Sequence, residues 1–275
     1  MKSILLCLFL ATACARPAER TDVGGPRVVS LIPNATEIIF DLGLGDHLVG
    51  ATRYCDRPAA ARRIPRVGGI LDVSSEAVLA TRPDLVIGSP KVLRGHLADL
   101  LSKAGADTLV LDFDTAESVV PGIRALGRAL NRGERADRLV RTLEKDFDDL
   151  RDRARTNPPV KVLFVAGRNP LVVASRASFI GDLLERMGVE NVVTAQRIPY
   201  PTWSLEQMLR ADPDVLLDGA VEAGDLEGSM AAGGIRAARE GRVLSFADHA
   251  LLRPGPAAVR AALKLADDIL VSAGR

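Results

Sequence analysis

A segment of fourteen residues occurs twice in this chain, and this duplication constrains the fold more than any other feature. Residues 74–87 read SSEAVLATRPDLVI, and residues 204–217 read SLEQMLRADPDVLL. Serine, glutamate, leucine, proline and aspartate recur in register at a constant offset of 130, without a gap, and the apolar positions stay apolar. Each half of the chain therefore carries a unit of the same design.

The local chemistry of each unit predicts a short helix that leads into a buried strand. Ser74 and Ser204 are placed as N-caps, since a serine hydroxyl accepts a hydrogen bond from a free N–H of the first helical turn. Glu76 and Glu206 fall within that turn, where the helix dipole favours a negative charge. A proline ends each helix, and the apolar run after it is typical of a strand in a parallel sheet. Two similar α/β lobes are predicted.

Segments outside the repeat fit the same plan. Further strands are predicted at residues 27–31, 47–51, 108–111, 161–165 and 242–246, with helical patterns between them. Asn34 and Glu37 have the spacing of a capping box, which would open a helix that ends at Leu42. This alternation of strands and helices predicts parallel sheets covered by helices.

Two strongly helical segments lie between the halves, at residues 117–130 and 134–155. The apolar stripe of the second one consists of Leu139, Leu143, Phe147 and Leu150. An amphipathic helix about 30 Å long would form a stiff connector. The expected fold class is α/β, with two parallel-sheet lobes joined by a long inter-lobe helix. The expected bounds are 27–115 for the N-terminal lobe, 116–158 for the helical connector and 159–275 for the C-terminal lobe.

The first residues have a different pattern. Lys2 precedes a short apolar run that ends in small residues and Cys14, which is the layout of a secretory signal peptide. The end of this run resembles a bacterial lipobox, in which the cysteine is lipidated, although Ala11 stands where leucine is usual. Cleavage before the cysteine without lipidation is the alternative. We expect a signal peptide at 1–13, a flexible tether at 14–26, and a lipid-anchored protein of the periplasm or cell envelope.

Charge and motifs argue against several function classes. The 36 basic and 35 acidic side chains give a formal net charge of +1, which disfavours a nucleic-acid binder. The sequence contains no P-loop, no His-Glu-x-x-His and no Gly-x-Ser-x-Gly motif, and its three histidines lack metal-ligand spacing. We therefore expect no catalytic residue, no metal site and no cofactor. Cys55 is either a small buried residue, the favoured interpretation, or a thiol in a pocket.

The tyrosines and the tryptophan lie in loops just ahead of the repeated units. Tyr54 precedes the first unit, and Tyr200 and Trp203 precede the second. In open α/β sheets such loops face the ligand crevice. A tyrosine there offers a flat apolar face with a polar tip, which suits a large planar ligand. Local packing of the loops is the alternative.

Several motifs together resemble one known family. They are RVVSLIPNATE at 27–37, LGLGD at 42–46, YCDRP at 54–58, VGG at 67–69 and both repeated segments. With them, nearly the whole mature chain resembles the periplasmic binding proteins of the cobalamin and ferric-siderophore ABC importers, and the cobalamin binders most of all. The resemblance implies the class III periplasmic-binding-protein fold, in which two lobes joined by a long helix hold the ligand between them.

The resemblance also implies roles for individual residues. Glu76 and Glu206 would dock against arginines of a dimeric ABC permease. The alternative is that both carboxylates only stabilise their helices through the helix dipole. The ligand, a corrinoid and in the first place cobalamin, would lie against Tyr54, Ile70, Tyr200, Asp248 and Arg253. Ile70 and Tyr200 replace tryptophans of the cobalamin binders, so the stacking surface is altered. A ferric-siderophore or haem carrier, a corrinoid- or cofactor-acting enzyme and a surface sensor remain as alternatives.

Overall fold

The computed structural model of the protein describes residues 24–113, 115–156, 159–195, 197–220, 224–245 and 249–274. The predicted signal peptide, Cys14 and Asp248 lie outside these residues. The strands are β1 (Val28–Ser30), β2 (Leu48–Ala51), β3 (Leu85–Gly88), β4 (Asp107–Val110), β5 (Lys161–Arg168), β6 (Leu171–Val173), β7 (Glu190–Asn191), β8 (Val215–Asp218) and β9 (Val243–Ser245). The helices are α1 (Pro33–Asp41), α2 (Ser75–Ala80), α3 (His96–Lys103), α4 (Ala116–Ala129), α5 (Gly133–Thr156), α6 (Phe179–Arg186), α7 (Leu205–Ala211), α8 (Leu226–Ala232), α9 (Arg236–Arg239) and α10 (Pro256–Ser272).

The strands form two sheets, one in each half of the chain. The first has the order β2-β1-β3-β4 and is parallel throughout. The second has the order β6-β5-β8-β9, with β7 also paired to β5, and it is parallel except for β6. The predicted α/β fold with parallel-sheet cores is confirmed. The sequence pattern did not predict β6 and β7, because β6 returns through a tight hairpin and β7 has only two residues.

The repeated segments occupy equivalent places in the two sheets. β3 and β8 are each third in their sheet, and the two helices that lead into them begin at predicted N-caps. The Ser74 hydroxyl accepts a hydrogen bond from the backbone N–H of Ala77 (3.1 Å), and the Ser204 hydroxyl accepts one from that of Gln207 (3.2 Å). The duplication in sequence is therefore a duplication in architecture.

The capping box predicted at the start of α1 is wrong. Pro33 occupies the first helical position, Ile32 is the N-cap, and no side chain caps the helix. Proline has a fixed φ suited to that position and needs no partner there, because it has no N–H. The two polar residues are used elsewhere. Asn34 donates a hydrogen bond to the carbonyl of Pro254 (2.6 Å), on the other lobe, and Glu37 is buried.

The helix α5 joins the two halves. Its 24 residues span about 36 Å, somewhat more than expected from the sequence. It packs against α4, α6 and α10, and the Arg135 guanidinium donates to the carbonyl of Asp41 at the end of α1 (2.9 Å). One continuous apolar core includes Ile39 of the first lobe, Leu143 of the connector and Ile269 of the second lobe. Among the described helices, none is both long and apolar enough to cross a membrane.

Candidate ligand-binding cleft and docking surface

The loop that carries Tyr54 starts at the carboxyl end of β2 and is held by contacts with buried side chains and with Arg66. The Cys55 thiol lies 3.2 Å from the Thr52 hydroxyl and is fully enclosed, so the favoured interpretation of Cys55 as a small buried residue is confirmed. The Arg66 guanidinium donates to the carbonyls of Thr52 (2.9 Å), Cys55 (3.0 Å) and Ala61 (3.2 Å). These contacts hold the loop while its tip stays in solvent.

Tyr54 and Ile70 lie on two neighbouring turns that an ion pair joins. Arg53 binds Asp72 (2.6 Å), and its guanidinium lies 6.0 Å from the centre of the Tyr54 ring. Tyr54 is 46% exposed, Ile70 is 38% exposed, and Leu71 at the tip of the second turn is 99% exposed. Exposed apolar side chains grouped in this way are typical of a binding surface.

Gly68 shapes the turn that presents Ile70 and Leu71. Its φ is +116°, and a Cβ atom there would lie 2.4 Å from the carbonyl oxygen of Asp72. Only glycine tolerates both the positive φ and the close approach of the backbone. The glycine of the VGG motif is thus required by the hairpin that positions Ile70.

Tyr200 lies on the other lobe, in an extended segment beside β6. The backbone N–H of Val173 donates to the carbonyl of Pro201 (3.0 Å), and that of Ser175 donates to the carbonyl of Pro199 (2.9 Å). Tyr200 is 44% exposed, and Ile198 beside it is also exposed. This lobe therefore presents an exposed apolar surface of its own next to the edge strand.

Trp203 behaves differently from the tyrosines. It is only partly exposed and packs against the core of the second lobe, which includes Val173 and Met208. Its backbone N–H donates to the carbonyl of Leu171 (2.9 Å). Local packing therefore accounts for Trp203, and Tyr200 is the aromatic residue of this segment that offers a surface.

Arg253 joins the two lobes next to Tyr54. Its guanidinium lies 2.5 Å from the carboxylate of Asp56, which follows Tyr54 by two residues. Burial opposes the charged form of Asp56, but the Arg253 hydrogen bond and charge outweigh it, so the pKa of Asp56 lies below its usual value. Tyr54, Ile70 and Arg253 thus lie in one region, linked by the Arg53–Asp72 and Asp56–Arg253 ion pairs, to which the sequence assigned no role.

A second charged pair lies at the carboxyl ends of the central strands of the C-terminal sheet. Arg168 ends β5 and Asp218 ends β8, and the guanidinium binds the carboxylate at 2.5 Å with both side chains largely buried. Ligands of open parallel sheets bind at this edge. Asp218 directly follows the apolar run of the second repeated segment, which is a signal in the sequence, whereas only the fold brings Arg168 next to it.

The structure also reveals a cavity of about 480 Å³ between α1, residues 56–62 and the start of α10. It lies beside the Asp56–Arg253 ion pair, and Glu37 of α1 forms part of its wall. Burial raises the pKa of Glu37 above its ordinary value, against the opposing charges of Arg253, Arg57 and Arg260. The sequence could not indicate this cavity, because residues more than 200 positions apart form its walls.

Glu76 and Glu206 lie at matching points on the two lobes. Both side chains are exposed in the first turn of their short helices, α2 and α7. Glu206 forms an ion pair with Arg210 one turn further on (2.8 Å), in the exposed geometry that contributes little to stability. Each helix runs back towards the amino end of its strand, so both carboxylates lie towards the carboxyl edges of the sheets.

Comparison with known proteins decides the family. The family model described as periplasmic binding protein matches residues 28–248. The chain belongs to this family. The predicted resemblance is confirmed, and members are substrate-binding, non-catalytic proteins of ABC importers in the periplasm, which deliver their ligand to a permease.

Individual relatives carry two kinds of ligand name. The vitamin B12-binding protein of Pectobacterium atrosepticum is 26% identical over 198 residues, which are 70% of this chain and 71% of that protein. The apo periplasmic heme-binding protein RhuT of Roseiflexus sp. RS-1 has a TM-score of 0.81 and 28% identity, covering 91% of this chain and 100% of that one. The vitamin B12-binding protein BtuF of Vibrio cholerae has a TM-score of 0.76 and 24% identity, covering 91% and 98%. The class III fold of the family is thereby confirmed.

Proposed function

We propose that this periplasmic binding protein captures a corrinoid, in the first place cobalamin, in the cleft between its lobes. The observation that carries the proposal is the exposed apolar surface at the carboxyl edge of the first sheet, formed by Tyr54, Ile70 and Leu71. Tyr200 and Ile198 offer a second such surface on the other lobe. Two broad apolar surfaces fit a large, flat ligand, and the names of the curated relatives support cobalamin.

Isothermal titration calorimetry with cyanocobalamin tests this cargo. We expect dissociation constants below about 1 μM, and Tyr54→Ala should weaken binding about tenfold, since an exposed aromatic contact contributes on the order of 1–2 kcal/mol. Leu209→Ala, an equally exposed truncation on α7, is the matched control and should bind as the wild type does. The absence of heat with cyanocobalamin, together with binding of a ferric siderophore, would refute the proposal.

Haem is the second candidate, and the fold similarity to heme-binding RhuT favours it. The phenols of Tyr54 and Tyr200 could each provide an oxygen ligand for the iron. Titration with haemin should then give an intense Soret band that shifts in Tyr54→Phe or Tyr200→Phe, because phenylalanine keeps the ring and removes the ligand. A Soret band unchanged in both variants would exclude tyrosinate ligation.

We propose that Glu76 and Glu206 dock the protein onto a dimeric permease, to which it delivers the ligand. Their matching places on two similar lobes suit a partner with twofold symmetry, and charge-assisted contacts with arginines would orient the complex. Replacement of both glutamates by arginine should abolish uptake and leave calorimetric ligand affinity unchanged. Reversal of exposed Glu134 on α5 serves as the control. Loss of ligand affinity in the double variant would place the glutamates in the pocket instead.

The remaining assignments concern the ends and bounds of the chain. Residues 27–115 and 159–275 are the two lobes, and residues 116–158 connect them.

Export leaves Cys14 as a lipidated N-terminus that tethers the protein to the cell envelope. Intact-mass analysis of protein from membranes should find a diacylglycerol on Cys14, and Cys14→Ser should release the protein into the soluble fraction. An unmodified mature N-terminus would contradict the anchor.

A further inference from the structure

Two exposed leucines lie on α7, the helix that carries Glu206. Leu205 is 38% exposed and Leu209 is 44% exposed. Residues four apart lie above each other on one face of a helix, so the two side chains form a continuous surface, which we call the α7 apolar row. Single exposed leucines are ordinary, whereas an apolar row next to a proposed docking residue indicates a surface that another molecule covers.

The turn that follows α8 lies beside the α7 apolar row. A Cβ atom at Gly233 would lie only 2.8 Å from Leu205 Cδ2, and one at Gly234 would lie 3.6 Å from Leu209 Cδ2. The φ of Gly234 is +88°, which favours glycine at that position. The leucines therefore have bare backbone on one side and solvent on the other, so the surface is already formed in the free protein.

A charged row runs beside the apolar one on the same helix. Glu206 and Arg210 are also four residues apart, and their side chains are paired at 2.8 Å. Both side chains are largely exposed, so the pair contributes little to folding stability and opens at little cost. The outer face of α7 thus combines apolar groups with a polar border, as protein–protein contacts do.

The corresponding helix of the N-terminal lobe, α2, has a different outer face. At the offset of 130, Ser75 stands in the place of Leu205, and Leu79 in the place of Leu209. Leu79 is only partly exposed, because it packs against the core of its own lobe. The two helices are therefore alike in their glutamate and unlike in the residues that surround it.

We propose that Leu205 and Leu209 pack against apolar side chains of the permease, next to the arginine that binds Glu206. This contact rests on the proposed docking role of Glu206 and refines it. The α7 apolar row is continuous with that glutamate on a helix of seven residues, so a partner that binds the carboxylate also covers the leucines.

The contact makes the two lobes unequal towards a symmetric partner. A twofold permease offers the same surface to both lobes, and only the C-terminal lobe meets it with exposed leucines. Burial of apolar area adds to the charged contact there, whereas Glu76 acts through its charge. The C-terminal lobe therefore provides the larger share of the affinity for the permease.

Surface plasmon resonance with the permease of the same ABC importer, purified in lipid nanodiscs, tests the contact. The double variant Leu205→Ala/Leu209→Ala should bind about tenfold more weakly than the wild type, because docking buries less apolar area. Leu209→Ala alone, which keeps the leucine beside Gly233, should weaken binding about threefold. Val271→Ala, an exposed truncation on α10, is the matched control and should bind as the wild type does.

Salt dependence distinguishes an apolar contact from a charged one. The loss in the leucine variants should be the same at low and high salt, whereas the loss in Glu206→Gln should shrink as salt rises, because ions screen exposed charges. A loss in the leucine variants that disappears at high salt would overturn the apolar contact.

The remaining outcomes separate this contact from the docking role itself. If reversal of Glu76 and Glu206 abolishes permease binding while the leucine variants bind normally, the apolar contact is refuted and the docking role stands. Normal binding by all of these variants would refute both. Weaker calorimetric binding of cyanocobalamin by Leu209→Ala would place the row in the ligand cleft. A wild-type dimer in sedimentation analysis that Leu209→Ala dissociates would make the row a contact between copies of this chain. Either of these two results would overturn the inference.

Discussion

At the scale of single residues, Glu37 couples stability to pH. Its pKa is raised by burial, while Arg253, Arg57, Asp41 and Arg260 contribute smaller effects of both signs. Between the ordinary value of 4.5 and the raised value, the folded protein therefore binds more protons at this site than the unfolded chain. The contribution of Glu37 to the free energy of unfolding therefore falls as the pH rises through that window, and it is constant above the window.

Glu37→Gln removes this dependence, and urea unfolding from about pH 4 to pH 8 measures it. The free energy of unfolding of the variant minus that of the wild type should rise with pH through the window and then level off. At neutral pH the variant should be the more stable protein, because it no longer buries a charge. A difference that is independent of pH would show that the carboxylate titrates normally.

At the scale of elements, the two repeated helices depend on their serine caps. Ser204 and Gln207 form a reciprocal capping box, since each side chain bonds the backbone N–H of the other residue (3.2 and 2.8 Å). Ser204→Ala should lower the free energy of unfolding by about 1 kcal/mol in chemical denaturation. Ser229→Ala, inside α8, is the control and should be neutral or slightly stabilising, because alanine is the better residue within a helix. Equal effects of the two substitutions would contradict the capping role.

The elements that local chemistry specifies were predictable, and those that depend on distant contacts were not. The caps at Ser74 and Ser204 were found because the deciding contact is three residues away. The capping box predicted at Asn34 was wrong because Pro33 occupies the first position of the helix, and because the Asn34 side chain donates to the carbonyl of Pro254 on the other lobe. The exposed position of Tyr54 could be predicted from its loop ahead of a repeated unit, and its role in binding stays a prediction. The charged pairs around it join residues that only the fold brings together.

At the scale of the whole molecule, one apolar core passes from the first lobe through α5 into the second. Each lobe also has a smaller core of its own, and lobes with only such separate cores would unfold as two units and move freely against each other. Here the Asp56–Arg253 ion pair, the contact of Asn34 with Pro254 and the stiff helix all cross the same junction. The lobes are therefore coupled, and ligand capture should require only a small change in their relative position.

Leu143, which is fully buried in the middle of α5, tests this coupling. Leu143→Ala should lower the free energy of unfolding by about 2–5 kcal/mol, because it removes a core side chain and leaves a cavity. Since the core is shared, hydrogen exchange should speed up in β1 and β3 of the first sheet as well as in β5 and β8 of the second, with one cooperative unfolding transition. Leu209→Ala, on the exposed face of α7, should leave both measurements near those of the wild type. Faster exchange confined to one sheet, or two separate transitions, would mean that the lobes fold independently and that closure is set by a hinge in the connector.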